Sequence, residues 1–351
     1  MRNRIIEEDI CGIVTIKDIP WLELKGKTVL ITGANGFIPA YIVETLLYIN
    51  ELNSGLKIKV IAVVRNGKKA LARFEHYTGR KDIKFIVQDV CEPISIKENI
   101  DYIIHAASQA SPKYYGVDPV GTILANVIGT YNLLELARAK KVKGFLYFSS
   151  GEIYGEVAEN QIPTGEAMYG NTDPLNIRSC YGESKRMGET MCISYMHQFG
   201  IPIKIVRPFH TYGPGMLLDD GRVFADFVSD IVNRRDIEIK SDGTAVRVFC
   251  YLADAVEGFF RVMLIGKTGE AYNLASDFPI SILNLAKLLV QLFPERNLRV
   301  LKKSRNQTKN YIESKISRAI PDIKKLKSLG WVTRHSIQEG FARTVQSFEI
   351  C

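Results

Sequence analysis

Two residues one helical turn apart have the side chains needed for acid–base chemistry. Tyr181 and Lys185 bracket the segment Tyr-Gly-Glu-Ser-Lys, and this spacing places phenol and ammonium on the same face of a helix. A nearby ammonium favours the ionised phenol, so we expect Lys185 to lower the pKa of Tyr181 and make it a base for a substrate hydroxyl proton. The spacing alone often arises by chance. Here it follows Ser149-Ser150 at the end of a predicted strand, which favours a catalytic site.

A second motif has the features of a phosphate-binding turn. The segment Thr32-Gly33-Ala34-Asn35-Gly36-Phe37-Ile38-Pro39 follows the first predicted strand and opens a helix. Free N–H groups at the positive end of a helix suit the pyrophosphate of a dinucleotide. Gly33 and Gly36 permit a tight turn, whereas Pro39 stands where a third glycine is usual. An ordinary strand-to-helix turn has a similar sequence, but its position after the first strand favours an NAD(P) site.

Short apolar runs rich in Val, Ile and Phe alternate with amphipathic segments. Predicted strands are Thr28–Thr32, Lys57–Val64, Ile83–Val87, Tyr102–Ala106, Gly144–Ser149 and Ile203–Arg207; predicted helices between them are Ile38–Leu52, Ala125–Lys140 and Ser184–Phe199. This alternation predicts an α/β fold, a Rossmann-like doubly wound parallel sheet, with a smaller C-terminal lobe that binds substrate. The expected divisions are an N-terminal extension at 1–25, a mainly dinucleotide-binding domain at 26–212 and a mainly substrate-binding lobe at 213–351, some segments of which return to the dinucleotide-binding domain.

The ends of the other predicted strands supply further cofactor contacts. Arg65 ends the second strand, where an acidic residue would bind the adenosine ribose, and Lys68-Lys69 follow it. NAD is the expected cofactor, and NADP is not excluded. We also assign to the cofactor site the residues Asn35, Phe37, Ile38, Asp89, Val90, Ala106, Ala107, Ser108 and Asn126, together with Tyr181 and Lys185.

Composition narrows the class of protein. The chain has 351 residues and a formal net charge of +8, but its basic residues are scattered, so we expect an anionic small-molecule substrate and no nucleic-acid partner. The six cysteines are far apart and form no zinc-ligand spacing, which predicts reduced thiols, no metal site and a cytoplasmic protein. Residues Met1 to Glu8 lack the apolar core of a signal peptide, and we expect no membrane association.

Three motifs in this order resemble a known family. The segment from Ser149 to Gly155 reads Ser-Ser-x-Glu-x-Tyr-Gly, the Tyr-x-x-x-Lys segment follows, and Arg207-Pro208-Phe209-His210-Thr211-Tyr212-Gly213-Pro214 comes next. The pattern is similar to extended short-chain dehydrogenases that modify nucleotide sugars. Within that family, the segments starting at His105, Arg178, Glu189 and Asp220 look most like UDP-glucuronate decarboxylases.

The resemblance implies roles for individual residues. Ser150 would be the hydroxyl partner of Tyr181, Glu152 an acid/base near the sugar, and Arg178 a contact for the substrate carboxylate. Arg222 and Arg247 would bind the diphosphate, with Gly151 and His210 also at the substrate. The resemblance further implies a homodimer that pairs through the helices Ala125–Lys140 and Ser184–Phe199.

Two departures from the family keep alternatives open. Gly151 stands where the decarboxylases have a hydroxyl residue and the 4,6-dehydratases an aspartate, and His210 replaces an asparagine. Decarboxylation of UDP-glucuronate to UDP-xylose is the leading hypothesis. A 4-epimerase is next, because Gly151 would leave room for the sugar to turn over, and a 4,6-dehydratase follows. A catalytically silent nucleotide-sugar-binding protein is the non-enzyme alternative, disfavoured by the intact Ser150, Tyr181 and Lys185.

Overall fold

The computed structural model describes residues 3–52, 55–303 and 316–349. Helices in these ranges are α1 (Arg4–Val14), α2 (Phe37–Leu52), α3 (Gly67–Arg73), α4 (Pro119–Lys140), α5 (Ser179–Phe199), α6 (Val223–Val232), α7 (Leu252–Ile265), α8 (Ile282–Leu292), α9 (Lys324–Lys327) and α10 (Ile337–Gln346). Strands are β1 (Thr28–Thr32), β2 (Lys59–Val64), β3 (Ile83–Val87), β4 (Tyr102–His105), β5 (Gly144–Phe148), β6 (Ile203–Pro208), β7 (His210–Tyr212), β8 (Ile237–Ile239), β9 (Val246–Tyr251), β10 (Ala271–Leu274), β11 (Pro279–Ser281), β12 (Val300–Lys302) and β13 (Arg318–Ala319).

Seven strands form one parallel sheet in the order β10-β6-β5-β4-β1-β2-β3. Strands β1, β4 and β5 are buried along their whole length, because helices cover both faces of the sheet. Val29 and Ile31 pack in the cluster that contains α2 and α7, whereas Leu30 packs with residues of α4 and α5. The predicted doubly wound sheet is therefore confirmed. Chain order reverses between β1 and β4, where such sheets bind ligands at the carboxyl edge.

Two helices that position the site begin earlier than predicted. Helix α4 begins at Pro119 rather than Ala125, since Asp118 accepts a hydrogen bond from the Gly121 N–H and proline suits the first helical position. Helix α5 begins at Ser179 rather than Ser184, which places Tyr181 in its first turn. The correction brings the catalytic pair onto one continuous helix.

The smaller lobe contains β7 and β9 paired in parallel, β11 and β13 alongside β9, and the pair β8 and β12. Helices α6, α8 and α10 pack against one another and against these strands. Strand β10, which follows α7 and was not predicted, pairs with β6 at the edge of the large sheet. The chain therefore returns to the large sheet after it has begun the smaller lobe.

The N-terminal extension contains a helix, α1, that packs against α2 and α7. Asp9 on α1 is buried and accepts hydrogen bonds from the hydroxyls of Tyr41 (3.1 Å) and Tyr251 (2.7 Å), and from Arg343 (2.7 Å). These partners lie on α2, β9 and α10. Helix α1 thus links the large sheet to the smaller lobe.

By length and apolar composition, α4 is the one helix in the described part of the chain able to cross a membrane. However, 56% of its most apolar window is buried. It packs against α5 and β4, and the core helix of a globular protein meets the same criterion.

Candidate functional site

The glycine turn between β1 and α2 lies against the loop that follows β4. Gly33 has a φ of +64°, and a Cβ atom there would lie 2.9 Å from the Ala107 Cα atom. Only glycine satisfies both conditions. The Gly36 N–H donates to the Gly33 carbonyl (2.7 Å), and α2 begins at the next residue. The turn therefore brings the backbone to the N-terminus of a sixteen-residue helix, as pyrophosphate binding requires.

A hydrogen-bond network centred on Thr32 holds this turn in place. Its hydroxyl oxygen accepts from the N–H groups of Ala106 and Ala107 (3.1 Å each) and lies 2.8 Å from His105 Nδ1. On the other side of the ring, His105 Nε2 lies 3.2 Å from the Thr130 hydroxyl. Burial and the nearby charge of Lys185 lower the pKa of His105 to about 3, so the ring is neutral. His105 thus joins β1, β4 and α4 beneath the cleft.

Buried polar atoms face no protein partner around this cleft. Within residues 3–52, 55–303 and 316–349, the hydroxyls of Ser108 and Ser149 and the Oδ1 atom of Asn126 have no hydrogen-bond partner. Buried polar groups are normally paired, so unpaired ones indicate the place of a ligand. The amide nitrogen of Asn126 is used, donating to Ser184 Oγ at 2.9 Å. Together with the glycine turn, these groups fit a dinucleotide.

The other predicted cofactor residues lie on the same edge of the sheet. Arg65 follows β2 and is exposed. Asp89 follows β3, where its carboxylate accepts from the Cys91 N–H (2.9 Å), and the carbonyl of the neighbouring Val90 accepts from Asn132 (2.9 Å). Asn35, Phe37 and Ile38 lie in the turn and at the start of α2. All therefore remain predicted contacts in a position to reach one dinucleotide.

The predicted catalytic pair, Tyr181 and Lys185, is buried at the start of α5. Tyr181 stacks on Tyr115, with ring centroids 5.3 Å apart and an angle of 18° between the rings. Lys185 Nζ donates to the Phe148 carbonyl at the end of β5 (2.6 Å) and lies 5.8 Å from the Tyr181 ring centroid. The pair is thus held by packing on one side and by the backbone of the sheet on the other.

The structure contradicts the expected effect of Lys185 on the phenol. Burial raises the pKa of Tyr181 to about 12, and the hydrogen bond with Ser150 only partly opposes this effect. Burial likewise lowers the pKa of Lys185 to about 7. The ammonium is directed to the Phe148 carbonyl rather than to the phenolic oxygen. Tyr181 therefore holds its proton in this structure, and activation requires further positive charge near the phenol.

A cavity of about 630 Å³ opens from the catalytic pair into the smaller lobe. Among the residues that line it are all the predicted catalytic and substrate-binding residues except Lys185, namely Ser150, Gly151, Glu152, Arg178, Tyr181, His210, Arg222 and Arg247. The fold therefore brings together residues spread over about a hundred positions of the chain. The described ranges contain no group of three or more His, Cys, Asp or Glu side chains arranged to hold a metal ion.

Each arginine in the cavity is held in a different way. Arg178 forms an ion pair with Glu152 (3.5 Å), and Arg222 pairs with Asp220. Arg247 donates to the backbone carbonyls of Val246, Ile316 and Ser317. These contacts orient all three guanidinium groups toward the cavity walls before substrate binds.

His210 lies within reach of all three of these charges. Burial, followed by the charges of Arg247, Arg222 and Arg178, lowers the pKa of His210 to about 3. The ring is therefore neutral. Its Nδ1 atom is buried and has no hydrogen-bond partner among the described residues. A neutral imidazole can donate to a phosphate or sugar oxygen from this position.

The ring of Phe209 lies directly beside Gly151. A Cβ atom at this position would lie 2.7 Å from the ring of Phe209, which also stacks near Tyr154. The aromatic ring therefore occupies the room that the missing side chain would have taken. The family pattern places Phe209 next to His210, but its contact with Gly151 could not be predicted, because it joins two loops about sixty residues apart.

Tyr115 also belongs to the site. In the structure this side chain is almost fully buried and stacks on Tyr181. The Arg178 guanidinium lies over the Tyr115 ring, with its Cζ atom 5.7 Å from the ring centroid. No spacing in the sequence relates residue 115 to residues 178 and 181. This residue therefore links the catalytic phenol to the cation of the Glu152 pair.

Comparison with known proteins identifies the family. The model of the NAD dependent epimerase/dehydratase family matches residues 29–275, more than half of the chain. The chain belongs to this family. The predicted family and its NAD-dependent enzyme class are thereby confirmed.

Curated relatives match over most of their length. UDP-glucuronic acid decarboxylase 6 of Arabidopsis thaliana is 33% identical over 324 residues, covering 92% of this chain and 89% of that protein. UDP-glucuronic acid decarboxylase 1 of Danio rerio is 31% identical over 351 residues, covering 99% of this chain and 79% of that protein.

Solved structures confirm the fold. UDP-glucose 4-epimerase from Thermotoga maritima superposes with a TM-score of 0.78 at 24% identity, covering 92% of this chain and 98% of that chain. UDP-glucuronic acid 4-epimerase from Bacillus cereus, in complex with UDP-glucuronic acid and NAD, superposes with a TM-score of 0.74 at 22% identity, covering 92% and 99%.

Proposed function

We propose that this enzyme oxidises carbon 4 of a nucleotide-linked uronic acid and releases its carboxyl group as carbon dioxide, converting UDP-glucuronate to UDP-xylose. The observation that carries the proposal is the Arg178–Glu152 ion pair, 3.5 Å between Nη2 and Oε2, in the cavity that Ser150 and Tyr181 also line. A uronic acid needs a cation for its carboxylate and an acid/base near carbon 5. Relatives named as UDP-glucuronic acid decarboxylases support the same substrate.

The side chains divide the proton chemistry. Tyr181, assisted by Ser150, takes the proton of the 4-hydroxyl; a nicotinamide cofactor held at the glycine turn would supply positive charge near the phenol and an acceptor for the hydride of carbon 4. The product is a β-keto acid. Its bond between carbons 5 and 6 breaks, the carboxyl group leaves as carbon dioxide, and the electron pair passes into an enolate whose oxygen lies at Tyr181 and Ser150. Glu152, after it takes up a proton from solvent, delivers that proton at carbon 5. When hydride returns to carbon 4, Tyr181 gives its proton back to the 4-oxygen and the alcohol is restored.

The positions of the charged groups suit this sequence. The Arg178 side chain is only 16% exposed and is paired with Glu152. It can therefore bind the substrate carboxylate, and this contact ends when the carboxyl group leaves as carbon dioxide. Arg222 and Arg247 lie on the lobe side, where the diphosphate would extend from the sugar. A 4-epimerase that acts on a uronic acid would use the same arginine for the substrate carboxylate, but it needs no acid/base at carbon 5, so the role of Glu152 separates the two reactions.

Replacement of Glu152 by glutamine separates the two leading reactions. In a decarboxylase, Glu152→Gln retains the shape but loses the proton donor, so the cycle should stall after oxidation and reduced cofactor should accumulate. Its near-ultraviolet absorbance measures this directly. We expect turnover to fall by about 100-fold or more.

The control is Glu156→Gln, an exposed carboxylate four residues later, which should turn over at the parent rate. If Glu152→Gln also runs near the parent rate with no trapped reduced cofactor, decarboxylation is wrong and the epimerase alternative replaces it.

We further propose that two copies pair through α4 and α5. These helices pack against each other and leave apolar side chains exposed, namely Val120, Ile123, Leu124, Ile128 and Tyr131 on α4 and Met187 and Ile193 on α5. Such an apolar surface favours a symmetric partner.

Light scattering at micromolar concentration should give the mass of a dimer, and Leu124→Asp should yield a monomer. Leu71→Asp is the control, because Leu71 lies on α3 and is more exposed than Leu124, and a monomeric parent contradicts the proposal.

A further inference from the structure

The adenosine end of the cofactor cleft carries a cation where a carboxylate would recognise NAD. The loop after β1 and the end of β2 are joined by a hydrogen bond from the Ala34 N–H to the Val63 carbonyl (3.2 Å), and Arg65 lies two residues beyond Val63. This edge of the sheet, beside the glycine turn, is where the ribose of a bound dinucleotide lies. In NAD-binding sites an acidic side chain here accepts hydrogen bonds from the ribose hydroxyls.

Nearby acceptors are partly occupied. The Asn66 side chain caps α3 by accepting from the Lys69 N–H (3.0 Å). Asp118 uses both carboxylate oxygens, accepting from the Gly121 N–H (3.0 Å) and the Gln109 amide (2.8 Å), whereas Asp89, after β3, accepts from the Cys91 N–H (2.9 Å) through one oxygen. The ribose hydroxyls therefore meet no carboxylate at the end of β2, the strand whose end recognises the ribose.

Arg65 itself is not engaged. Its guanidinium has no hydrogen-bond or ion-pair partner among residues 3–52, 55–303 and 316–349. Its charge nevertheless acts on two groups of the neighbouring segments, Asp118 and Cys91. The pKa of Asp118 is lowered by the hydrogen bonds from Gln109 and Gly121, and Arg65 acts in the same direction. Arg65 also opposes the rise in the pKa of the Cys91 thiol, which is caused mainly by burial.

We propose that this subsite binds the 2′-phosphate of NADP, with Arg65 as the residue that determines cofactor specificity, so that the enzyme binds NADP at least as tightly as NAD. A guanidinium with no carboxylate partner presents several N–H donors to a phosphate dianion, whereas it has no acceptor for the hydroxyls of NAD. Lys68 and Lys69 are exposed in the first turn of α3, which follows Arg65, and add positive charge. The inference goes beyond the proposed reaction, because it does not depend on which sugar is bound.

Binding measurements test the proposal without turnover. With purified protein freed of bound nucleotide, calorimetry should give an affinity for NADP⁺ equal to or above that for NAD⁺. The fragment 2′,5′-ADP should bind about tenfold or more tightly than 5′-AMP, because the added phosphate meets Arg65. This difference should shrink as salt is added.

Variants assign the effect to one side chain. Arg65→Asp should weaken NADP⁺ by about tenfold to a hundredfold while it changes NAD⁺ by no more than about threefold, and the neutral Arg65→Gln should lie between. Lys59→Asp is the matched control, because it makes the same charge change at the opposite, exposed end of the same strand. It should leave both affinities at the parent value.

Three results would overturn the inference. These are a parent protein that binds NADP⁺ about tenfold or more weakly than NAD⁺, an Arg65→Asp variant in which both affinities change alike, or a Lys59→Asp variant that reproduces the Arg65 effect. A parent that binds neither dinucleotide overturns the cofactor role of the cleft as well. The first three results leave that role and the proposed reaction intact.

Discussion

The catalytic end and the arginine-lined end of the cavity are built in different ways. Tyr181 and Lys185 lie on one helix that packs on the large sheet, and the Phe148 carbonyl of that sheet holds the Lys185 ammonium at 2.6 Å. Arg222 and Arg247 come from separate segments of the smaller lobe, and each is held by its own neighbours. The catalytic end fixes the position of a proton acceptor, whereas the arginine-lined end supplies positive charge from several separate segments of the chain. We therefore expect the first to control turnover and the second to control substrate affinity.

The largest effect should come from the phenolic oxygen. Tyr181→Phe removes the proton acceptor but keeps the stacking on Tyr115, so kcat should fall by about 100-fold or more while dinucleotide affinity stays near the parent value. Steady-state kinetics and calorimetry on the same preparation provide the two measurements.

The stacked partner supplies the control. The Tyr115 hydroxyl donates to the Ala110 carbonyl (3.1 Å) rather than to the catalytic pair, so Tyr115→Phe should remain within about tenfold of the parent. If Tyr181→Phe retains most of its activity, or if both variants lose activity equally, the phenolic oxygen of Tyr181 is not the proton acceptor.

A smaller effect, and of a different kind, should follow the loss of a cavity arginine. Arg222→Gln removes a proposed diphosphate contact, so KM should rise by about tenfold to a hundredfold. The charge of Arg222 also lowers the pKa of Tyr181, so a smaller fall in kcat should accompany this rise. Initial rates over a range of UDP-glucuronate concentrations separate the two parameters.

Arg235→Gln is the matched control, since it removes the same charge just beyond the other end of α6, where Arg235 pairs on the surface with Asp230. Its KM should equal that of the parent. If Arg222→Gln instead lowers kcat at unchanged KM, the division between a catalytic end and a binding end is wrong.

Much of the fold and of the catalytic motif could be predicted because the signals are local. Buried parallel strands appear as continuous apolar runs, and a four-residue spacing on a helix places Tyr181 and Lys185 on one face whatever surrounds them. The glycine turn is equally local, because the positive φ of Gly33 is a property of one residue. Even the start of α5, which was placed five residues late, left the relation between the two catalytic side chains unchanged.

Only the tertiary structure decided what those residues experience. The pKa of Tyr181 is raised rather than lowered, because burial outweighs the hydrogen bond from Ser150 and Lys185 is directed to a carbonyl of β5. The Phe209 ring fills the space beside Gly151, and Tyr115 connects Tyr181 to Arg178. Each of these effects depends on distance and desolvation between segments far apart in the chain, and those quantities do not exist until the chain has folded.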